Sequence, residues 1–176
     1  MNWKVFDCVS RVTGDSILVD SSKDAMRFYC MNQVREGSLL PIVLFRNARG
    51  IASSAIKYGR DPVSVLDAWL RTYNYRIFPM LKLLGIPYLT VDYDLMTRNP
   101  SAVRDQISNY LQLPCSDMPE SFITNKYHIV AGNPMRFSSS IVVKYDNSWS
   151  DRLSPSLIAL ADSYQERLML KQGGRE

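Results

Sequence analysis

A chain of 176 residues, 46% hydrophobic and 22% charged, is long enough for one domain with a real core and too apolar for a disordered polymer. Its 21 basic and 17 acidic residues leave a net charge of +4, which permits an anionic ligand, while their dispersion argues against a nucleic-acid-binding stripe. Three widely spaced cysteines, Cys8, Cys30 and Cys115, fit neither a disulfide framework nor a CxxC metal site and read as buried free thiols. A single histidine, His128, argues against a histidine-based zinc centre, and no metal is expected. The first residues lack the features of a secretory signal, and no apolar run nears the ~20 residues of a membrane span. The expectation is one cytoplasmic domain over 1–176.

In chain order, Trp3, Phe6, Val9 and Val12 recur at helical spacing and Gly14 stops them, which predicts a short amphipathic helix packed on the body. SILVD reads as a strand ending on Asp20. It leads into a helix in which Met26, Cys30 and Val34 repeat every four residues up to Gly37. LPIVLF is a second apolar strand, running into RNARGIASS and a helix that Gly59 closes. Asp61-Pro62 opens a long helical pattern through Leu66, Trp69, Tyr73, Ile77, Leu81 and Leu84, stopped by Gly85 and kinked or divided at Pro79. PYLTVDYD is a third strand, followed by a helix with Pro100 in its first turn. Residues 113–140 read as a long irregular segment. Ser154-Pro155 opens a last helix with Leu157, Leu160, Ala161, Tyr164 and Leu168 on one face.

Continuous rather than alternating apolar strands, each followed by a helix, predict an α/β fold with a mainly parallel sheet and helices on both faces, in three layers. Ligands in such folds sit beyond the carboxyl ends of the strands, where Asp20, Arg46 and Asp92 fall. Three loops place a Lys or Arg beside small or hydroxyl residues: DSSKD, RNARGIASS and HIVAGNPMRF. In the second, a strand ending on Arg46 meets a helix start near Arg49, Ser53 and Ser54, so a guanidinium, backbone N–H groups and the helix dipole converge on one place. Gly50, Ala52 and Ala55 are expected to keep that helix close to the sheet. Neither GxxxxGK[ST] nor GxGxxG is present.

Together, VDSSKDAMR, the strand running into RNARGIASS, and HIVAGNPMRF resemble the latter two thirds of a sulfotransferase using 3′-phosphoadenosine 5′-phosphosulfate. That resemblance, over roughly residues 16–140, implies a P-loop-NTPase-like fold. The family's R-[DN]-P-R-x-x-x-x-S pattern binds the donor's 3′-phosphate through its first Arg and last Ser; here these are Arg46 and Ser54, eight apart, with Ala48 in place of proline. Gly132, Asn133 and Arg136 match the stretch that folds over the nucleotide. Ser22 and Lys23 match a DSSK stretch whose lysine lies near the transferring group. The first strand-loop-helix unit, with the glycine-rich loop gripping the 5′-phosphosulfate, has no counterpart in MNWKVFDCVSRVTGDS.

The function so implied is sulfuryl transfer to a hydroxyl or amine acceptor, a small molecule or a carbohydrate, without nucleic acid. The alternative is a noncatalytic, truncated relative that binds adenosine 3′,5′-bisphosphate or a protein partner. Lys23 is the candidate for stabilising charge on the leaving nucleotide. Asp20, Asp92 and His128 are the candidates for the base that takes the acceptor's proton.

Overall fold

The computed structural model describes residues 2–115, 122–123, 140–141 and 145–172. It is an α/β chain, mostly helical, whose contacts divide it into two compact units: Met1–Pro41 with Arg71–Tyr88, and Ile42–Leu70 with Leu89–Glu176.

The first unit opens with α1, Asn2–Thr13, closed at Gly14, whose φ of +78° is the left-handed geometry glycine adopts without a Cβ penalty. The expected SILVD strand does not form. Val19 is 90% exposed, and Asp20 instead accepts the Ser22 N–H at 2.9 Å and pairs with Arg27 at 2.9 Å. A short apolar run needs a ladder partner to stay extended, and Asp20 offers its own neighbourhood a competing turn. Asp24 caps α2, Ala25–Val34, by accepting from the N–H groups of Met26 and Arg27.

On α2 the inward face differs from the expected one. Met26 and Val34 are 67% and 70% exposed and Cys30 is exposed, as are Cys8 and Cys115, so the expectation of buried thiols is also corrected. The packing stripe is one residue further on, Arg27, Met31 and Arg35, where long side chains meet α1. Arg35 pairs with Asp7 through two bonds of 2.8 and 2.7 Å and lies 4.7 Å over the Trp3 ring. The Trp3 indole N–H donates to the Met31 carbonyl at 2.9 Å, and Arg27 lies 5.8 Å from the Phe6 ring. Guanidinium–aromatic contacts of this kind bury aliphatic stems while leaving the charge wet, which the apolar periodicity does not register.

The long helical pattern is realised as α4, Pro62–Arg71, a π-helical turn over Thr72–Ile77, and α5, Phe78–Leu84. Pro79 divides it as expected. Its ring would meet the carbonyl four residues back, and the preceding turn widens so that the Phe78 N–H reaches the Tyr73 carbonyl, five residues back. Tyr73, Phe78 and Tyr88 stack in series, 5.9 and 5.8 Å apart.

In the second unit β1, Ile42–Phe45, pairs in parallel with β2, Leu89–Asp92, in the register Ile42 to Leu89 through Phe45 to Asp92. Val43 and Val91 are buried, whereas Ile42 and Leu44 are exposed, so burial alternates along the first three residues of β1. Phe122–Ile123 and Ser140–Ile141 form a second, antiparallel pair, β3 and β4, within and at the end of the expected irregular segment.

Helix α3, Ala48–Lys57, buries Ala48, Ala52 and Ala55 and packs on α8, Trp149–Arg152, and α9, Pro155–Gln172. Its small residues thus admit other helices, where the sequence pointed to the sheet. Helices α6, Tyr93–Arg98, and α7, Pro100–Leu111, pack on β2 and on each other. The expected face of α9 is inward: Ala161, Tyr164 and Leu168 are buried, and the Tyr164 hydroxyl donates to Asp67 at 2.6 Å.

Gly85 ends α5 with φ +62°, and a Cβ there would meet open space, so only backbone strain opposes a side chain. Gly85→Ala is expected to cost about 1 kcal/mol and to lower the melting temperature by about 2–4 °C in a thermal melt. An unchanged Tm would show that this helix end is not held in the left-handed geometry.

Candidate functional site

The Arg46 side chain leaves the end of β1 and runs back along α3. A Cβ built on Gly50 would stand 2.6 Å from Arg46 Nε, so the missing side chain at Gly50 is the space the guanidinium stem occupies. Ser54 follows Gly50 by four residues on the same face of α3, so Arg46, Gly50 and Ser54 form one stripe. The structure therefore brings the two residues of the R-x7-S pattern to one side of the helix. Gly50 matters because the arginine crosses it.

The Arg46 guanidinium lies 5.2 Å from the Tyr93 ring centroid, and its Nη2 donates to Asp146 Oδ2 at 2.9 Å. Arg46 Nε is buried with no hydrogen-bond partner. An unsatisfied donor on a charged group is costly in a fold this size. The Asp146 carboxylate also accepts from the Ser148 N–H at 3.1 Å. Ser148 Oγ in turn accepts from Arg152 Nη1 at 3.2 Å, and the same nitrogen donates to buried Ser53 at 2.6 Å. The hydroxyl and N–H of Ser148, together with Arg46, hold the Asp146 carboxyl down at about 2. Close by, burial and the Asp92 carboxylate push the Asp94 carboxyl up, against Arg46 and Arg98.

The neighbouring arginines serve the same short segment. Arg98 stacks 4.0 Å from the Tyr145 ring, and Arg49 lies 4.7 Å from the Trp149 ring. Arg49 also grips Asp162 of α9 through two bonds of 2.6 and 2.7 Å, which hold that carboxyl below its ordinary value. Arg49 is thus a clamp between helices rather than an anion ligand.

The helix start is likewise occupied. The Ala48 N–H donates to Gln165 Oε1 at 2.9 Å and the Arg49 N–H to Asn47 Oδ1 at 2.8 Å, so the expected cradle of open backbone N–H groups is closed by side-chain caps. A shallow concavity of about 480 Å³ lies here, lined by Asn47, Arg49, Asp162, Gln165 and Glu166. Its walls include the Arg49–Asp162 pair, and Arg46 is not among its lining residues.

The other candidate residues fall as follows. Ser22 and Asp20 are joined to each other in the first unit. Burial alone would raise the Asp20 carboxyl, but Arg27 and both Ser22 groups outweigh it and hold it low. Lys23 is exposed with φ +61°, an unusual backbone for a lysine. Asp92 caps α6, accepting from the Asp94 and Leu95 N–H groups at 2.7 and 3.3 Å. His128, Gly132, Asn133 and Arg136 lie outside the described residues.

Tyr93, Asp146, Ser148 and Arg152 were missed by sequence reasoning. Tyr93 and Asp94 sit directly after a strand end, a signal that was available. For Asp146 and Arg152 there was none, because they reach Arg46 and Ser53 across 100 and 99 residues.

Among the described residues, no group of three His, Cys, Asp or Glu side chains is placed to hold a metal ion, and no helix is long and apolar enough to cross a membrane. A scan of protein-family models finds no match to the chain, and neither the curated proteins nor the solved structures yield a significant one.

Asp146 has an ordinary value of 3.8 and a folded value of about 2, so its stabilisation is fully present above about pH 4 and is lost as pH falls towards 2. With the side chain 49% exposed, screening trims the effect to about 1 kcal/mol. Asp146→Asn is expected to be less stable than the parent by about that amount near neutral pH, with the difference closing between about pH 4 and 2 in urea titrations. A constant difference across that range would remove the ionised carboxylate as its source.

Proposed function

We propose that the second unit binds the phosphate monoester of an adenosine 3′,5′-bisphosphate on the Arg46–Gly50–Ser54 stripe, and that the chain acts as a sulfotransferase or a large part of one. The observation that carries the reading is the state of Arg46. Its Nε is buried without an acceptor, its stem is seated in the gap at Gly50, its face rests on Tyr93, and Ser54 follows on the same side of α3. A rigid, stacked guanidinium with donors to spare suits a phosphate better than a lysine would.

In this reading the β1–β2 pair belongs to the three-layer parallel sheet of a P-loop-like sulfotransferase fold. The donor is 3′-phosphoadenosine 5′-phosphosulfate. Its sulfur–oxygen bond to the 5′-phosphate breaks as a bond forms to the acceptor's hydroxyl or amine, whose proton passes to a base. The resemblance assigns Lys23 to the leaving oxygen, and Ser22, Gly132, Asn133 and Arg136 to the nucleotide.

A second reading, nucleotide binding without transfer, has its own support. Two of the candidate bases are already engaged, Asp20 with Arg27 and Ser22 and Asp92 as a helix cap. A radiolabelled assay over hydroxyl and amine acceptors separates the two: label transferred by the purified chain, and lost in Lys23→Ala with an unchanged Tm, excludes the noncatalytic reading.

Binding itself is tested more directly. Adenosine 3′,5′-bisphosphate in excess is expected to raise the melting temperature by linkage. Arg46→Ala is expected to weaken its affinity by about 1.5–3 kcal/mol in calorimetry, roughly tenfold to a hundredfold. Gly50→Ala should also weaken it by displacing the arginine, while favouring helix α3 by up to ~1 kcal/mol. A folded sample with no thermal shift, and affinity indifferent to both substitutions, would leave the proposal without a basis.

A further inference from the structure

We propose that the Asp146 carboxylate holds the place of the ligand's phosphate, and that a bound phosphate monoester displaces it and takes over its donors, with Ser148 and Arg152 completing the site around Arg46. The inference rests on the reading of Arg46 as a phosphate ligand. It adds residues that neither the sequence pattern nor the resemblance points to.

The carboxylate is held as an oxyanion ligand would be. One oxygen takes Arg46 Nη2 at 2.9 Å and the other takes the Ser148 N–H at 3.1 Å. Behind Ser148 stands Arg152, whose Nη1 donates to Ser148 Oγ and to Ser53, so a second guanidinium backs the same anion through one hydroxyl. A side-chain carboxylate offers two acceptor oxygens, and Arg46 Nε, buried and without a partner, remains unused. A phosphate has a third oxygen and a larger charge, so it can occupy the carboxylate's donors and reach the remaining one.

The residues around the carboxylate also make simultaneous occupancy unfavourable. Asp92 and Asp94 already stand near Arg46, and the Asp94 carboxyl is pushed up by burial and by Asp92. A phosphate entering beside an ionised Asp146 would meet like charge at hydrogen-bond range. Exchange is therefore the way in. Asp146 is half-exposed and lies on a short stretch before α8, so it can swing into water, where its charge is solvated.

The test is calorimetric titration of the full chain with adenosine 3′,5′-bisphosphate, and with inorganic phosphate in a parallel arm to separate a nucleotide ligand from a free anion. Asp146→Asn keeps an oxygen to accept the Ser148 N–H and removes the competing charge. It is expected to tighten binding about tenfold, the difference between a charged and a neutral hydrogen-bond acceptor at Arg46. Arg152→Met, which keeps a long apolar stem, is expected to weaken binding several-fold. If Arg46→Ala weakens binding but Asp146→Asn leaves it unchanged or weaker, the displacement is wrong and the phosphate site stands. If Arg46→Ala leaves affinity unchanged, the phosphate site falls and the displacement with it. A stronger gain for the bisphosphate than for inorganic phosphate assigns the place to a nucleotide; equal gains assign it to a free anion.

Discussion

The pairing of Arg46 with Asp146 is the contact on which the second unit's candidate site depends. It joins the end of β1 to the stretch leading into α8 across 100 residues of chain, and Arg46 can make it only because Gly50 leaves room for the side chain to cross α3. The stretch Tyr145–Arg152 is then fastened four times over. Arg98 stacks on Tyr145, Arg46 pairs with Asp146, Arg49 stacks on Trp149, and Arg152 reaches back to Ser53. Each of these contacts is modest at the surface, but they share one short segment, so losing one loosens the neighbours of the others.

The use of arginine is consistent through both units. Arg27 and Arg35 join α1 to α2 through Phe6, Trp3 and Asp7, as Arg46 and Arg49 join strand and helix ends through Tyr93, Trp149 and two aspartates. A guanidinium that stacks on a ring with one face can still direct its edge at a carboxylate, and that double use is not open to lysine. Much of the basic charge is therefore spent on internal connections. The +4 net charge says little about a charged face, and the surroundings of Arg46 are a balanced cluster of arginines and aspartates.

Short polar side chains do the corresponding work for the backbone. Asp24, Asn47, Asp61, Asp92 and Asn99 accept from N–H groups at the starts of successive helices, and Asp20 and Asp146 make the same kind of turn in loops. Two carboxylates that look free for chemistry in the sequence, Asp20 and Asp92, are occupied in this way. Asp20, with Arg27 and the Ser22 groups as donors, is held ionised and is poorly suited to taking up a proton.

Local rules read from the sequence were sufficient for much of the fold. The glycine stops at Gly14, Gly37, Gly59 and Gly85 all have positive φ, the Asp61-Pro62 and Pro100 helix starts are present, the division at Pro79 is present, and the inward face of α9 is as expected. Each depends on the conformational limits of one residue or on a period within one helix. The Arg46–Ser54 spacing was legible for the same reason, since eight residues along a strand end and a helix are two turns. What only the tertiary structure decided was the fate of groups that choose between partners far apart in the chain. SILVD found no ladder in its unit, α2 turned a cationic stripe rather than its apolar one to α1, and Arg49 went to Asp162. Arg46 met Asp146, a residue no pattern marked, because a charge pairs with whichever opposite charge the fold brings within reach.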